Sequence, residues 1–219
     1  MPDPILPVTT YKDRMFIHLF SDKGRLLELY NAVMGTHYDN PEDIEVNTLE
    51  NVLYMNMKND VSFAFHEELY LYEHQSSLNP NMPLRGFMYI ARLYEKITKG
   101  AGIYSSKLIR LPNPNYMVFY NGMDRMPREY TMMLSDAYRI PADSHPLDFQ
   151  VRVININYKE NPEFLDKCPT LKEYSYFVDL VRSYQESLPL QDAIRQAIIK
   201  IVTLDKASLT IFYASHVSG

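Results

Sequence analysis

Apolar residues recur at helical spacing through the front of the chain, over residues 10–34. A polar run at residues 21–24 interrupts this pattern, so we predict two helices rather than one. Thr9 or Thr10 suits the N-cap of the first helix. Asp13 then lies in the first turn, where the helix dipole favours a carboxylate. This local role is the ordinary explanation for Asp13.

The pattern changes to alternation over residues 58–75, which predicts two strands joined by a polar turn at residues 66–68. Asp60 enters the first strand, while Glu73 and Gln75 share one face of the second. Burying a carboxylate such as Glu73 is costly unless a cation or a metal compensates it. We therefore expect chemistry here first, although an edge strand whose acid faces water explains the same pattern.

The rest of the chain mixes helical and strand patterns. A helix is predicted over residues 83–99, where apolar positions cover most of the circumference and indicate a largely buried element. Residues 44–49 and 52–57 suggest short extended segments before the Asp60 strand, and residues 123–147 form a long connection. Strands are predicted at residues 116–120 and 148–156, and helices at residues 171–184 and 190–201. This order predicts an α/β fold with helices packed on a small central sheet.

A row of basic residues follows one side of the predicted 83–99 helix: Arg85, Arg92, Lys96 and Lys99. Between Arg85 and Arg110 there are six basic residues and one acid, in a chain whose net charge is −5. This local excess is typical of a surface that faces phosphates. A solvated helix face has the same appearance, and both interpretations stay open.

Composition excludes several classes of protein. The single Cys168 cannot form an internal disulfide, which together with the lack of a secretory signal pattern predicts a cytoplasmic protein. No apolar run approaches the ~20 residues that a membrane span needs, so we expect no membrane partner. Gly-rich phosphate loops, paired zinc histidines and the Gly-x-Ser-x-Gly elbow are missing from the sequence. A glycosidase-like carboxylate pair fits less well, since aromatic platforms are common there and the chain has no Trp.

Several short motifs together resemble a known family. The chain is similar to the recombination-promoting nuclease and transposase family of bacteria, within the PD-(D/E)XK nuclease superfamily. The match covers roughly residues 10–200, and its motifs are YKDRMF at 11–16, KNDVSF at 58–63, YEHQSS at 72–77, NPNMPLR at 79–85, VFYNG at 118–122 and LDFQVR at 147–152.

The resemblance implies a central sheet with the superfamily's α-β-β-β-α-β order and a metal-dependent nuclease that acts on DNA in recombination, mobile elements or phage defence. It assigns Asp60 and Glu73 as metal ligands, and Asp13 as a further acid. Arg85 is placed where it contacts a phosphate, with Arg92, Lys96 and Lys99 along the DNA. The oxygen-only ligand set favours Mg²⁺ or Mn²⁺.

Gln75 stands where the superfamily has a lysine. A lysine supplies positive charge to the attacking water and the transition state, whereas Gln can only orient water through hydrogen bonds. More of the catalysis would then depend on the metal. The alternatives are a catalytically degenerate member that binds DNA without cutting it, and an interaction protein without a nucleic-acid role.

The expected domain organisation is a nuclease-like domain at residues 1–160 and a helical C-terminal extension at residues 161–219. A homodimer is a further expectation. After Ile201 the sequence departs from the charged helical tail that the resemblance implies, so an altered C-terminal end is also expected.

Overall fold

The computed structural model describes residues 11–45, 60–141 and 145–204. These residues form two compact units, one built from residues 11–39 and 156–204 and the other from residues 40–155. The predicted division into residues 1–160 and 161–219 stays a prediction. Within the described ranges, no helix is both long enough and apolar enough to cross a membrane.

The first unit is helical. Its helices are α1 (Tyr11–Phe20), α2 (Lys23–Met34), the short α4 (Pro162–Leu165), α5 (Pro169–Gln185) and α6 (Leu190–Leu204). The predicted break between α1 and α2 is confirmed, because the Asp22 side chain accepts a hydrogen bond from the Arg25 amide and so caps α2. Asp13 lies in the first turn of α1, as predicted. The proposed caps Thr9 and Thr10 lie outside the described residues.

Buried hydrogen bonds connect α2 to the start of α5. The Glu28 carboxylate accepts hydrogen bonds from the Thr170 amide at 2.8 Å and from the Thr170 hydroxyl at 3.1 Å. This satisfies amides that have no partner within α5 itself. Cys168 precedes α5 and is buried, and desolvation raises the pKa of its thiol. Burial thus disfavours the thiolate, which is the reactive form of cysteine.

The second unit contains a mixed five-stranded sheet. Its strands are β1 (Val61–Phe65), β2 (Glu68–Gln75), β3 (Asn113–Tyr120), β4 (Glu129–Met133) and β5 (Gln150–Asn155), in the spatial order β1-β2-β3-β5-β4. The pairs β1–β2 and β4–β5 are antiparallel, and β3 is parallel to both β2 and β5. The mixed α/β architecture is confirmed at this level.

Helix α3 (Met82–Ile97) connects β2 to β3 and packs on one face of the sheet. Leu69 and Leu71 of β2 contribute to this shared core, which also contains the α3 residues Tyr89 and Ile90. The approach is closest at Gly86, where an added Cβ would lie 2.7 Å from a ring carbon of Tyr116. The sequence thus places a glycine where any side chain would separate the helix from the sheet.

Two sequence predictions about this unit are wrong. The 123–147 connection was expected to lack regular structure, yet it contains β4 and a 3₁₀ turn at Leu134–Ala137. Helix α3 is not buried around most of its circumference, because Leu84, Met88 and Ile97 are exposed. For the predicted 44–49 strand, the described part shows an isolated bridge between Glu45 and Ala64. The 52–57 segment lies outside the described residues.

Candidate metal centre

The β1–β2 hairpin brings Asp60 and Glu73 together. Val61 pairs with Tyr72 across the two strands, so the same register continued by one residue sets Asp60 opposite Glu73. Residues that face each other in an antiparallel pair project to the same side of the sheet. Both acids therefore lie on the face that α3 covers. The sequence predicted the hairpin and the shared face of Glu73 and Gln75, and both are consistent with the observed strands.

Backbone hydrogen bonds fix the two acids relative to each other. The Asp60 amide donates to Glu73 Oε2 at 3.1 Å, and the His74 amide donates to Asp60 Oδ2 at 2.6 Å. Each carboxylate is thus held by the backbone of the opposite strand. These two backbone donors preorganise both side chains.

Arg85 supplies the positive charge next to Glu73. Its guanidinium donates to Glu73 Oε1 at 2.9 Å, and a second nitrogen lies 3.3 Å from the Met82 sulfur. Arg85 is in the first turn of α3, where its amide donates to the Asn81 carbonyl. The fold therefore directs an arginine onto a carboxylate that is only 2 % exposed. An ion pair of this kind compensates a buried charge in part.

Glu73 is electrostatically perturbed. Burial, and then the nearby charge of Asp60, raise its pKa from 4.5 to about 8, while Arg85 and the Asp60 amide act in the opposite direction. The buried Tyr116 hydroxyl makes no hydrogen bond of normal geometry, yet it lies near enough to lower the pKa of Glu73 slightly. Desolvation and the charge of Glu73 raise the pKa of Tyr89 to about 12. A strongly perturbed acid beside a second acid is typical of functional sites.

Gln75 ends β2 on the same face as Glu73 and is half-buried. It borders a cavity of about 210 Å³, a volume that includes open solvent, together with Ser77, Asn79 and Tyr120. The backbone at Gln75 is fixed, since its carbonyl accepts a hydrogen bond from the Asn121 amide at 2.8 Å. The side chain thus borders a solvent-connected space, where its amide can orient water.

Asp13 belongs to the helical unit, whereas Asp60 and Glu73 belong to the sheet unit. Across the described ranges, no three His, Cys, Asp or Glu side chains come close enough to form one metal-binding group. The assignment of Asp13 as a third acid stays a prediction. Two carboxylates nonetheless fit Mg²⁺, which commonly binds one or two protein carboxylates and completes its shell with water and substrate phosphates.

The predicted basic row divides into two parts. Arg85 is half-buried and engaged with Glu73, while Arg92, Lys96 and Lys99 are exposed. Helical geometry puts Arg85, Arg92 and Lys96 on one flank of α3, and Lys99 follows two residues after the helix ends. The exposed part begins about two turns after Arg85, which contacts Glu73, so a basic surface starts close to the candidate metal centre.

Sequence reasoning missed the Arg85–Glu73 ion pair. Arg85 was expected to contact a phosphate, but in this structure it contacts the candidate ligand. The separation of 12 residues between Glu73 and Arg85 does not predict this contact, because the contact depends on how α3 packs across the sheet after β2. Tyr116 and Tyr89 were also missed as neighbours of Glu73, since an apolar pattern does not distinguish them from ordinary core residues.

We compared the chain with known protein families, curated proteins and solved structures. None of these comparisons gave a match.

Proposed function

We propose that this chain is a divalent-metal-dependent nuclease that cuts DNA, with Asp60 and Glu73 as metal ligands. The observation that carries the proposal is the acid pair itself: Glu73 is 2 % exposed, lies opposite the half-buried Asp60 and has a pKa raised to about 8. Two carboxylates held together in a partly buried site repel each other, and a bound divalent cation removes that repulsion.

The described connectivity supports the same proposal. A hairpin with one acid at its entrance and one near its end is followed by a helix and then a parallel strand, β3. This agrees with the later part of the α-β-β-β-α-β order that the resemblance to the PD-(D/E)XK superfamily implies. The first strand of that order stays a prediction, and residues 46–59 lie outside the described residues.

The residues of this site divide the chemistry between them. A cation held by Asp60 and Glu73 would supply Lewis acidity toward water and phosphate oxygens. Gln75 carries no charge, so its amide acts on the attacking water only by orienting it through hydrogen bonds. Arg85 is positioned to share its guanidinium between Glu73 and a phosphate of the substrate, for which its planar donor fork is well suited.

Plasmid cleavage with and without Mg²⁺ tests this function. We expect the wild type to nick or linearise supercoiled DNA with Mg²⁺ and to lose activity with EDTA. Asp60→Asn and Glu73→Gln should each lower the rate at least ~100-fold, as expected when a catalytic metal ligand is removed. Glu67→Gln is the matched control, since Glu67 is an exposed acid in the turn of the same hairpin. Cleavage that survives in both site variants would exclude the assignment.

The second candidate is a degenerate DNA-binding protein of the same fold. Two observations favour it: Gln75 replaces a charged residue, and Arg85 already occupies one oxygen of Glu73. Under this alternative the wild type binds DNA with salt-dependent affinity but leaves the plasmid intact at every metal concentration.

A further inference from the structure

The 98–112 loop, which connects α3 to β3, presents large apolar side chains to solvent. Tyr104 is 98 % exposed, Leu108 is 76 % exposed and Ile103 is 59 % exposed. Folding alone does not account for the exposure of these three residues, because large apolar side chains are more often shielded from water in a folded protein. A contiguous exposed apolar segment typically marks an interaction site.

The loop has a defined base and turn. The Tyr94 hydroxyl donates to the Pro112 carbonyl at 2.6 Å, which ties the end of the loop to α3. Within the loop, Gly100 and Gly102 have φ values of +84° and +67°, and the Ser105 amide donates to the Gly102 carbonyl at 2.8 Å. These contacts fix the base of the loop and one turn within it.

The charge around this tip is positive. Lys99, Lys107 and Arg110 are exposed, and the chain contains no Asp or Glu from Lys96 to Met123. The whole chain carries a net charge of −5, so a stretch of this length without an acid is a local exception. Charge complementarity therefore selects an anionic partner.

The loop also continues the basic flank of α3. At ~1.5 Å per residue, the distance along the helix axis from Arg85 to Lys96 is about 17 Å, and Lys99 follows two residues after the helix ends. Arg85 contacts Glu73 at one end of this path, and the loop stands at the other. A linear polyanion can follow a track of this kind along its length, because successive phosphates meet successive cations.

We propose that the 98–112 loop binds a single-stranded segment of DNA, with Tyr104 stacking on an unpaired base and Lys107 and Arg110 contacting phosphates. The proposal rests on the proposed function for the identity of the polymer. Exposed aromatic rings beside basic residues are the usual means of holding single strands, since every base offers a flat face for stacking. Ile103 and Leu108 flank the stacked base and exclude water from it.

Fluorescence anisotropy with labelled oligonucleotides measures this binding in EDTA, without any cleavage. We expect Tyr104→Ser and Leu108→Ser to bind a 30-nucleotide oligo(dT) at least ~5-fold more weakly than the wild type. Binding to a 30-base-pair duplex should change less, because its bases are already stacked. Ile140→Ser is the matched control, as Ile140 is 80 % exposed outside the loop.

A tryptophan at the tip gives a direct signal. The chain contains no Trp, so Tyr104→Trp introduces a single indole at an exposed position. We expect this conservative variant to retain oligo(dT) binding and to show quenched fluorescence when the oligonucleotide stacks on it. Ile140→Trp should keep its fluorescence under the same conditions.

The salt dependence of oligo(dT) binding tests whether Lys107 and Arg110 contact phosphates. Lys107→Gln and Arg110→Gln should each reduce the slope of log K against log salt by ~0.7, the value for one phosphate contact on a single strand. Arg139→Gln, which removes an exposed cation outside the loop, should leave the slope unchanged.

The loop proposal is overturned if the Tyr104 and Leu108 variants bind oligo(dT) as the wild type does, or if the wild type binds no oligonucleotide at all. It is also overturned if the loop instead binds vesicles of phosphatidylcholine and phosphatidylserine. The plasmid assay is independent of these outcomes, because it reports on Asp60 and Glu73. A loop failure with metal-dependent cleavage intact therefore leaves the proposed function standing.

Discussion

The buried carboxyl group of Glu73 should make the metal-free protein lose stability as the pH rises. Its pKa is about 8 in the folded protein, against 4.5 for an ordinary glutamate, chiefly because of burial and then the charge of Asp60. Between these values the folded protein keeps a proton that the unfolded chain has released. The stabilisation is therefore complete below about pH 4.5 and is lost as the pH rises through about 8.

The size of the effect follows from the two pKa values. At about 1.4 kcal/mol for each pH unit, the loss across this window approaches ~5 kcal/mol. For a chain of this size, 1 kcal/mol corresponds to roughly 2–4 °C in Tm, so the shift is on the order of 10–20 °C. Other titrating groups also contribute, and they must be separated from Glu73 by a matched variant.

Glu73→Gln is that variant, because the amide keeps the shape of the side chain and stays uncharged. Its carbonyl oxygen can still accept from Arg85 or from the Asp60 amide. We expect thermal unfolding, followed by circular dichroism in EDTA, to give similar Tm values for the two proteins at pH 5. At pH 8 the variant should be the more stable.

Arg85→Met provides a second check on the same reasoning. The Arg85 charge lowers the pKa of Glu73, so its removal should extend the pH-dependent loss to higher pH. Parallel Tm curves for the wild type and Glu73→Gln from pH 5 to pH 8 would refute the electrostatic account. A growing disadvantage of Glu73→Gln with pH would refute it as well.

Two further predictions concern packing and catalysis. Gly86→Ala should lower the unfolding free energy by about 1–3 kcal/mol in denaturant titrations, because the new Cβ would meet Tyr116 and Phe149 ring carbons at 2.7–2.9 Å. Gly24→Ala, the same change in α2 with its nearest contact at 3.3 Å, should be neutral or stabilising by up to ~1 kcal/mol. Gln75→Lys should raise the rate of Mg²⁺-dependent plasmid cleavage severalfold, because it adds positive charge beside the reacting phosphate. An unchanged or lower rate would show that Gln75 does not face the reaction.

Local patterns predicted the elements that form the candidate site. The alternation in β2 was sufficient to place Glu73 and Gln75 on one face, because strand geometry alone requires it. The break before α2 was likewise visible from the polar run at residues 21–24, within which the structure shows Asp22 as the cap. These features depend on neighbouring residues, which a single sequence contains.

Features that depend on distant residues were not predicted. Strand β4 is short and lies at the edge of the sheet, and its polar and apolar residues alternate only over residues 129–132, so this brief run does not stand out within the long 123–147 connection. The β1–β2 turn has two residues rather than three, and both His66 and Glu67 adopt positive φ values that are uncommon without glycine. The contact between Arg85 and Glu73 arises only when α3 packs across the sheet.

The most direct test of the central claim is a titration of Mn²⁺ followed by electron paramagnetic resonance at pH 8. Wild-type protein should reduce the signal of free Mn²⁺ in a saturable manner. Asp60→Asn and Glu73→Gln should each lose this binding, while Glu67→Gln should retain it. Equal Mn²⁺ binding by the wild type and both site variants, or no binding by the wild type, would contradict the assignment of Asp60 and Glu73 as a metal centre.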